Sequence, residues 1–355
     1  MNNLLDFYKG KKVFITGHTG FKGTWLTRIL LYAGAEVTGY ALEPDTEPSL
    51  FALTKTSNFI NHIEGDIRDR AKLALAVKQA EPDIVLHLAA QPLVRLSYRE
   101  PVLTYETNVM GTVHILEAVR GCESVKSFVN VTTDKVYENK EWDWGYRENE
   151  NLCGFDPYSN SKSCSELVTF SYRNSFFADK SAPAISTARS GNVIGGGDYA
   201  QDRIIPDCIR ATEKKQTIHI RNPHSTRPYQ HVLECLRGYL MLAQMQYLNK
   251  DIVGSYNFGP DEESCVTTGD LTDLFCSTWG SGASWKNEAE KNAPHEASFL
   301  KLDCSKAKKV LGWYPQWDIK TAVKKIVEWQ KAFDNGTPAS EITDLQIKEY
   351  FNNKD

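Results

Sequence analysis

The chain has 355 residues, 41% hydrophobic and 24% charged, with a formal net charge of −4. That is the balance of a globular protein long enough to bury a core as one large domain or two unequal ones. Its basic residues are dispersed, which argues against a nucleic-acid groove. No apolar run approaches the ~18–20 residues of a membrane-spanning helix, so a small-molecule partner is expected.

From Lys11 onward apolar runs alternate with helical periodicity. Residues 12–16 (Lys-Val-Phe-Ile-Thr) read as a buried strand ending in Gly17. Residues 24–33 place Leu26, Ile29, Leu30 and Ala33 on one helical face before the stop at Gly34. Further strands are expected at 36–42, 61–64, 84–89, 127–131, 185–189 and 256–258, and helices at 71–79, 103–119, 159–173 and 231–246. This rhythm predicts an α/β fold, a Rossmann-type doubly wound parallel sheet covered by helices on both faces. After about Gly191 the rhythm gives way to irregular segments such as Gly195-Gly-Gly-Asp-Tyr199. Residues 1–190 are therefore expected to form the dinucleotide-binding domain, with a strand near 255–259 returning to it. Residues 191–355 are expected to form mainly a smaller, partly interleaved substrate domain.

The segment from Met1 to Lys12 is polar where a secretory signal would carry an apolar core. The cysteines (Cys122, Cys153, Cys164, Cys208, Cys235, Cys265, Cys276 and Cys304) stand singly, without a C-x-x-C pair. No metal site or disulfide framework is indicated, and reduced, buried thiols in the cytoplasm are expected.

Between the first strand and the first helix lies Gly17-His-Thr-Gly20-Phe-Lys-Gly23. Glycines at this junction permit a tight turn, close backbone approach to a pyrophosphate and close helix–sheet packing, while the helix N-terminus attracts the phosphates. Gly17, Thr19, Gly20, Phe21, Lys22 and Gly23 are the candidate cofactor contacts.

Tyr158-Ser-Asn-Ser-Lys162 fits Y-x-x-x-K, as do Tyr8…Lys12 and Tyr350…Lys354. Tyr158 follows Asp156-Pro157, a helix entry, and the four-residue step puts Tyr158 and Lys162 on one face. The other two pairs are expected in polar termini outside the core. A phenol with a pKa near 10 is a poor base at neutral pH. A neighbouring ammonium and an oxidised nicotinamide ring would both favour phenolate, which predicts a Tyr158 acidified by Lys162.

The loop T-G-x-x-G-x-x-G together with Tyr158/Lys162 resembles the extended short-chain dehydrogenase/reductase superfamily. That resemblance implies adenine contacts at Asp66 and Ile67, and a floor under the nicotinamide at Leu88, Ala89 and Ala90. It also implies that Thr133 orients the substrate hydroxyl. The superfamily's ribose-binding acid falls near Ala41, a departure. However, residues 38–54 hold Glu43, Asp45 and Glu47 and no Lys or Arg, so a 2′-phosphate would meet uncompensated negative charge and NAD is the expected cofactor.

The run Thr132-Thr-Asp-Lys-Val-Tyr-Glu-Asn139, the segment from Trp142 to Glu148, His295-Glu-Ala297 and Leu311-Gly-Trp-Tyr-Pro315 narrow the likeness. They resemble the CDP-glucose 4,6-dehydratase family over almost the whole chain. Asp134-Lys135 is the discriminating element, since the related dTDP-glucose enzymes carry Asp-Glu there. The resemblance implies Tyr158 as base at O4, Asp134 as acid for the departing C6 hydroxyl, and Lys135 either as base at C5 or as a charged group steadying the enolate. It implies nucleotide-sugar contacts at Arg203, Arg227 and Asn192, a glucosyl contact at Ser97, a structural Asn108, and stacking or core packing for Trp142 and Trp144. It also implies a homodimer or homotetramer in which helices 103–119 and 159–173 pair. Two other readings stay open: another nucleotide-sugar dehydratase or 4-epimerase, and a dinucleotide-sensing regulator without turnover.

Overall fold

The computed structural model describes residues 4–288 and 299–352. Seven parallel strands form one sheet: β1 (Lys12–Thr16), β2 (Glu36–Ala41), β3 (Asn61–Glu64), β4 (Ile84–His87), β5 (Ser127–Val131), β6 (Ala184–Ser190) and β7 (Ser255–Phe258). Their order is β7-β6-β5-β4-β1-β2-β3. Chain order reverses between β1 and β4, so the loops leaving these strands diverge and open a crevice at their carboxyl ends. Thr16 pairs with both Tyr40 and His87, which sets three strand ends level beneath that crevice.

All strands but the edge strand β3 are almost continuously buried because both faces are covered. In β1 and β5, Val13, Ile15, Val129 and Val131 face one core and Phe14 and Phe128 the other. The first core receives Trp25 and Leu26 of α1 (Phe21–Tyr32) and Leu236 and Leu240 of a helix at Val232–Leu248. The second receives Leu73 and Val77 from Arg70–Ala80 and Ile115 and Leu116 from Gly111–Arg120. A third core joins Ile194, Ile205, Ile209, Leu271, Phe275 and Ile326, whereas Leu302, Trp313 and Tyr350 pack into the first. Among the described residues no helix is long and apolar enough to cross a membrane.

Residues 103–119 do not form one regular helix. Helices at Val94–Arg99 and Pro101–Tyr105 lead into a π turn at Glu106–Met110 and then Gly111–Arg120. Within the π turn Asn108 accepts from Gln91 N at 2.8 Å and donates to Gln91 O at 3.1 Å and Ser161 Oγ at 2.8 Å. It thus has the structural role expected of it, tying the loop after β4 to the Tyr158 helix.

The terminal tyrosines correct the expectation that they lie outside the core. Tyr8 and Tyr350 are fully buried, bonded to Leu240 O at 2.6 Å and Glu234 Oε2 at 2.8 Å; Lys354 lies outside the described residues. Leu4, Leu5 and Phe7 beside Tyr8, and Ile347 and Phe351 beside Tyr350, pack with them in the first core, so the charged residues between them conceal buried helical faces. Likewise Ile319–Asp334 and Ala339–Asn352 are helices beyond the expected set.

Trp329 joins these last helices to the cleft. Its indole donates to Thr343 Oγ1 at 3.1 Å, and Gly196 lies so close that a Cβ there would stand 2.2 Å from the ring. Trp329→Ala is expected to cost about 3–5 kcal/mol, read as a lowered urea midpoint; a loss under about 1 kcal/mol would show that the site collapses to fill the cavity.

Candidate active site

Above the ends of β1, β4, β5 and β6 lies a cleft of about 1590 Å³. Single small-molecule sites are commonly ~300–1,000 Å³, so this one has room for two ligands side by side. At one end Gly17 takes φ +78, and a Cβ on it would meet Ala89 N at 2.7 Å. A Cβ on Gly23 would stand 2.1 Å from Gly17 O. Only glycine allows α1 to sit this close to the sheet. Gly20 caps α1 without any side-chain bond to its first amides, which leaves the helix N-terminus open to the cleft for an anion.

Thr19, Phe21, Leu88, Ala89 and Ala90 line the same cleft. Thr19 Oγ1 is tied to Leu42 O at 2.8 Å. Asp66 and Ile67 line its edge, with Ile67 packed over Gly111. Asp66 is gripped by Arg68 at 2.6 Å, which holds its carboxyl below the ordinary range. Glu43 and Asp45 also line this end. An uncapped helix terminus, two obligatory glycines and a long groove suit a dinucleotide diphosphate.

Lys22 is the loop residue that reaches furthest. Its ammonium donates to Ser190 Oγ at 3.2 Å, at the end of β6. Burial lowers its pKa, with Arg203 adding to that and Cys235, Asp134 and Asp198 opposing it.

Tyr158 and Lys162 project from α2 (Pro157–Ser175), whose N-cap Asp156 accepts from Ser159 N at 3.0 Å and whose Pro157 presets the first turn. Both side chains are buried and line the cleft. Burial of the phenol opposes the acidification expected of Tyr158. Burial pushes the phenol up to about 12; the Thr133 hydroxyl and Arg203 lower it, and Asp134 and Asp156 raise it. Lys162 is not among those groups: its ammonium donates to Val131 O at 3.1 Å. Burial, reinforced by Lys22, brings Lys162 down to about 8. The four-residue spacing fixes a shared face, and a strand-end carbonyl then captures the ammonium.

Asp134 begins a 3₁₀ turn capped by Thr133. Its Oδ1 accepts from Thr133 Oγ1 at 3.0 Å, while Oδ2 is buried without a hydrogen-bond partner among the described residues. Burial raises its pKa against the opposing pull of Lys135, Thr133, Arg227 and Lys22. Gly191 leaves room for the free oxygen, since a Cβ there would stand 3.0 Å from it. Lys135 is half-buried and lines the cleft beside it. A buried carboxyl, a lysine and a phenol thus share one cavity.

Arg203, Arg227 and Asn192 line the same cleft. Arg203 pairs with Asp198 at 3.0 Å, and Arg227 donates to Thr226 O at 3.1 Å close to Asp134. Ser97 departs from expectation. It is fully buried, bonded to Val94 O at 2.7 Å and absent from the cleft wall, because its own helix captures the hydroxyl. Trp142 stacks on Tyr146 at 5.4 Å and Trp144 is exposed; both lie beside a separate hollow. His295-Glu-Ala297 falls outside the described residues. Arg68, Asp198 and Ser190 were missed from sequence, although Gly195-Gly-Gly-Asp198 was visible as an irregular segment.

The profile of the family described as GDP-mannose 4,6 dehydratase matches residues 14–326. A CDP-glucose 4,6-dehydratase of Salmonella typhimurium is 49% identical over 350 residues, 97% of either chain. A dTDP-glucose 4,6-dehydratase of Streptomyces antibioticus is 28% identical, over 90% of this chain and 92% of its own. Among solved structures, dTDP-glucose 4,6-dehydratase from Bacillus anthracis in complex with NAD gives a TM-score of 0.75 at 19% identity, covering 91% of this chain and 97% of that one. A UDP-N-acetylglucosamine 4-epimerase from Methanobrevibacter ruminantium gives 0.78 at 22% identity, over 92% of this chain and 99% of its own. The last two share the fold.

The raised Asp134 pKa has a measurable consequence. Folding favours the protonated form, so its contribution to stability is greatest at low pH and is lost as pH rises through the ordinary carboxyl range toward the raised value. Asp134→Asn cannot ionise. The melting temperature of that variant minus the parent's is therefore expected to grow between pH ~4 and ~8; a difference constant over that range would mean that Asp134 titrates normally.

Proposed function

The chain belongs to the GDP-mannose 4,6-dehydratase family, and from that premise we propose that it is a lyase converting CDP-glucose to CDP-4-dehydro-6-deoxyglucose with NAD. The observation that carries the elimination step is the buried Asp134, one carboxylate oxygen of which lacks a hydrogen-bond partner among the described residues, beside Lys135 in the cleft of Tyr158. A 4-epimerase needs only one acid/base group at O4. The choice of CDP rests on the Salmonella relative and on Asp134-Lys135. The uncapped N-terminus of α1, Lys22 and the Leu88–Ala90 floor would hold NAD, and the acidic Glu43 and Asp45 disfavour a 2′-phosphate.

The chemistry that NAD supplies when bound is hydride transfer out of C4 and back to C6, with no net consumption. Tyr158 accepts the O4 proton as phenolate, a form that Thr133, Arg203 and the positive ring of bound NAD would favour against the opposing effect of burial. The 4-ketone makes the C5 proton acidic; neutral Lys135 removes it and, as hydride returns to C6, gives C5 a proton exchanged with solvent. Asp134 donates its proton to the C6 hydroxyl, which leaves as water. Its raised pKa suits that role because burial favours the protonated form of the acid. Arg203, Arg227 and Asn192 hold the diphosphate and sugar. Residues 1–190, with β7, serve the cofactor, and residues 191–355 mainly the nucleotide sugar.

The protein works as a homo-oligomer, most simply a dimer. Val102, Met110, Leu167 and Phe170 are exposed apolar residues on neighbouring helices, Leu167 and Phe170 on α2, and such patches mark interfaces. All eight cysteines are free, as befits the reducing cytoplasm.

Incubation with a panel of nucleotide-glucoses is expected to generate the alkali-induced absorbance of a 4-keto sugar from CDP-glucose; activity with dTDP- or GDP-glucose instead would overturn the choice of nucleotide. Lys135→Ala is expected to lower dehydration about a hundredfold or more, and turnover near the parent rate would remove Lys135 as the C5 base. Leu167→Glu with Phe170→Glu should yield a monomer by light scattering; an unchanged mass would place the interface elsewhere.

A further inference from the structure

Glu166 lies one helical turn past Lys162 and two past Tyr158, so the three share a face of α2. It is 2% exposed. Arg189 of β6 grips its carboxylate with two parallel bonds, Nε to Oε1 at 2.9 Å and Nη2 to Oε2 at 2.8 Å. Thr132 Oγ1 donates to Oε1 at 2.5 Å and Thr187 Oγ1 to Oε2 at 2.7 Å. Ser255 of β7 adds a longer bond to Oε2 at 3.4 Å. Arg189 Nη1 then donates to the Tyr137 hydroxyl at 2.8 Å, which donates to Asn257 Oδ1 at 2.7 Å. A buried pair of this kind is weak evidence for stability, because desolvation offsets the attraction. Its saturation with bonds makes it a geometric joint between the Tyr158 helix and three strand ends.

We propose that Glu166 is a positioning residue for the reaction: through Thr132 it sets the register between the helix bearing Tyr158 and Lys162 and the segment bearing Thr133, Asp134 and Lys135. This rests on the dehydratase reading. Thr132 is where the joint becomes directional. The next residue, Thr133, acts on the phenol and caps the turn carrying Asp134 and Lys135. Thr187 bonds the same carboxylate, but neither it nor its neighbours Ser186 and Ala188 line the cleft. Deleting either hydroxyl removes a comparable hydrogen bond, yet only one of the two adjoins the reacting groups.

The test compares Thr132→Val with Thr187→Val in the full-length protein, with Thr132→Ser as the rescue. Similar melting temperatures are expected for the two valine variants. Thr132→Val should lose about ten- to a hundredfold in kcat, with KM for CDP-glucose changed by less than about threefold. Thr187→Val and Thr132→Ser should keep at least about half of the parent kcat. Equal kcat losses in both valine variants, or none in Thr132→Val, would overturn the proposal. Crystal structures give a readout that does not depend on turnover: the Thr133 hydroxyl turns away from Tyr158 in Thr132→Val and stays in Thr187→Val. An unmoved Thr133 in Thr132→Val overturns the positioning role. If the parent converted no nucleotide sugar, the dehydratase reading would fall while the coordinates still decided this one.

Discussion

Loss of water at the carboxyl ends of β5 and β6 governs the chemistry of this protein. Four titratable groups buried there are displaced toward their neutral forms, whereas the Glu166–Arg189 pair stays charged: Tyr158 up to about 12, Lys162 down to about 8, Asp134 upward and Lys22 downward. Desolvation is the largest cause for all four. A cluster assembled this way disfavours charge on acids and ammonium groups alike, which brings their proton affinities closer together. Thr133, Arg203 and Arg227 then tune individual members without neutralising the effect.

The sheet makes this arrangement possible. Reversal of chain order between β1 and β4 opens the crevice, and close approach at Gly17 and Gly23 brings Lys22 within reach of Ser190. The helix bearing Tyr158 and Lys162 is bonded to β5 and β6 through Glu166 and to the loop after β4 through Ser161 and Asn108. Cofactor loop and acid/base groups are therefore parts of one rigid floor, whereas Arg203 and Arg227 come from segments beside the third core.

Central parallel strands were legible because a strand buried on both faces must be an apolar run, and β1 and β5 begin and end where such runs do. The phosphate loop and the Tyr158/Lys162 face were legible because glycine spacing and helical periodicity have few other uses at those junctions. The later helices were less so, although Asp318 followed by Ile319, Ala322, Val323 and Ile326 carries both cap and apolar stripe. Local sequence does not specify where a long side chain ends. Lys162 finds the Val131 carbonyl, Ser97 turns back on Val94, and Tyr8 and Tyr350 reach the core from helices that also carry charged residues. Glu166 shows the converse: its spacing from Lys162 is plain, but its importance depends on Arg189, Thr132 and Thr187, which only the fold brings together.

The central claim is that one cavity removes hydrogen from C4, expels water across C5 and C6, and returns the same hydrogen to C6. CDP-glucose carrying deuterium at C4, incubated with the protein and NAD in ordinary water and followed by NMR, tests it most directly. A 4-keto product with deuterium in its new methyl group and solvent hydrogen at C5 is expected. Deuterium retained at C4 of an unchanged or epimerised sugar would contradict it.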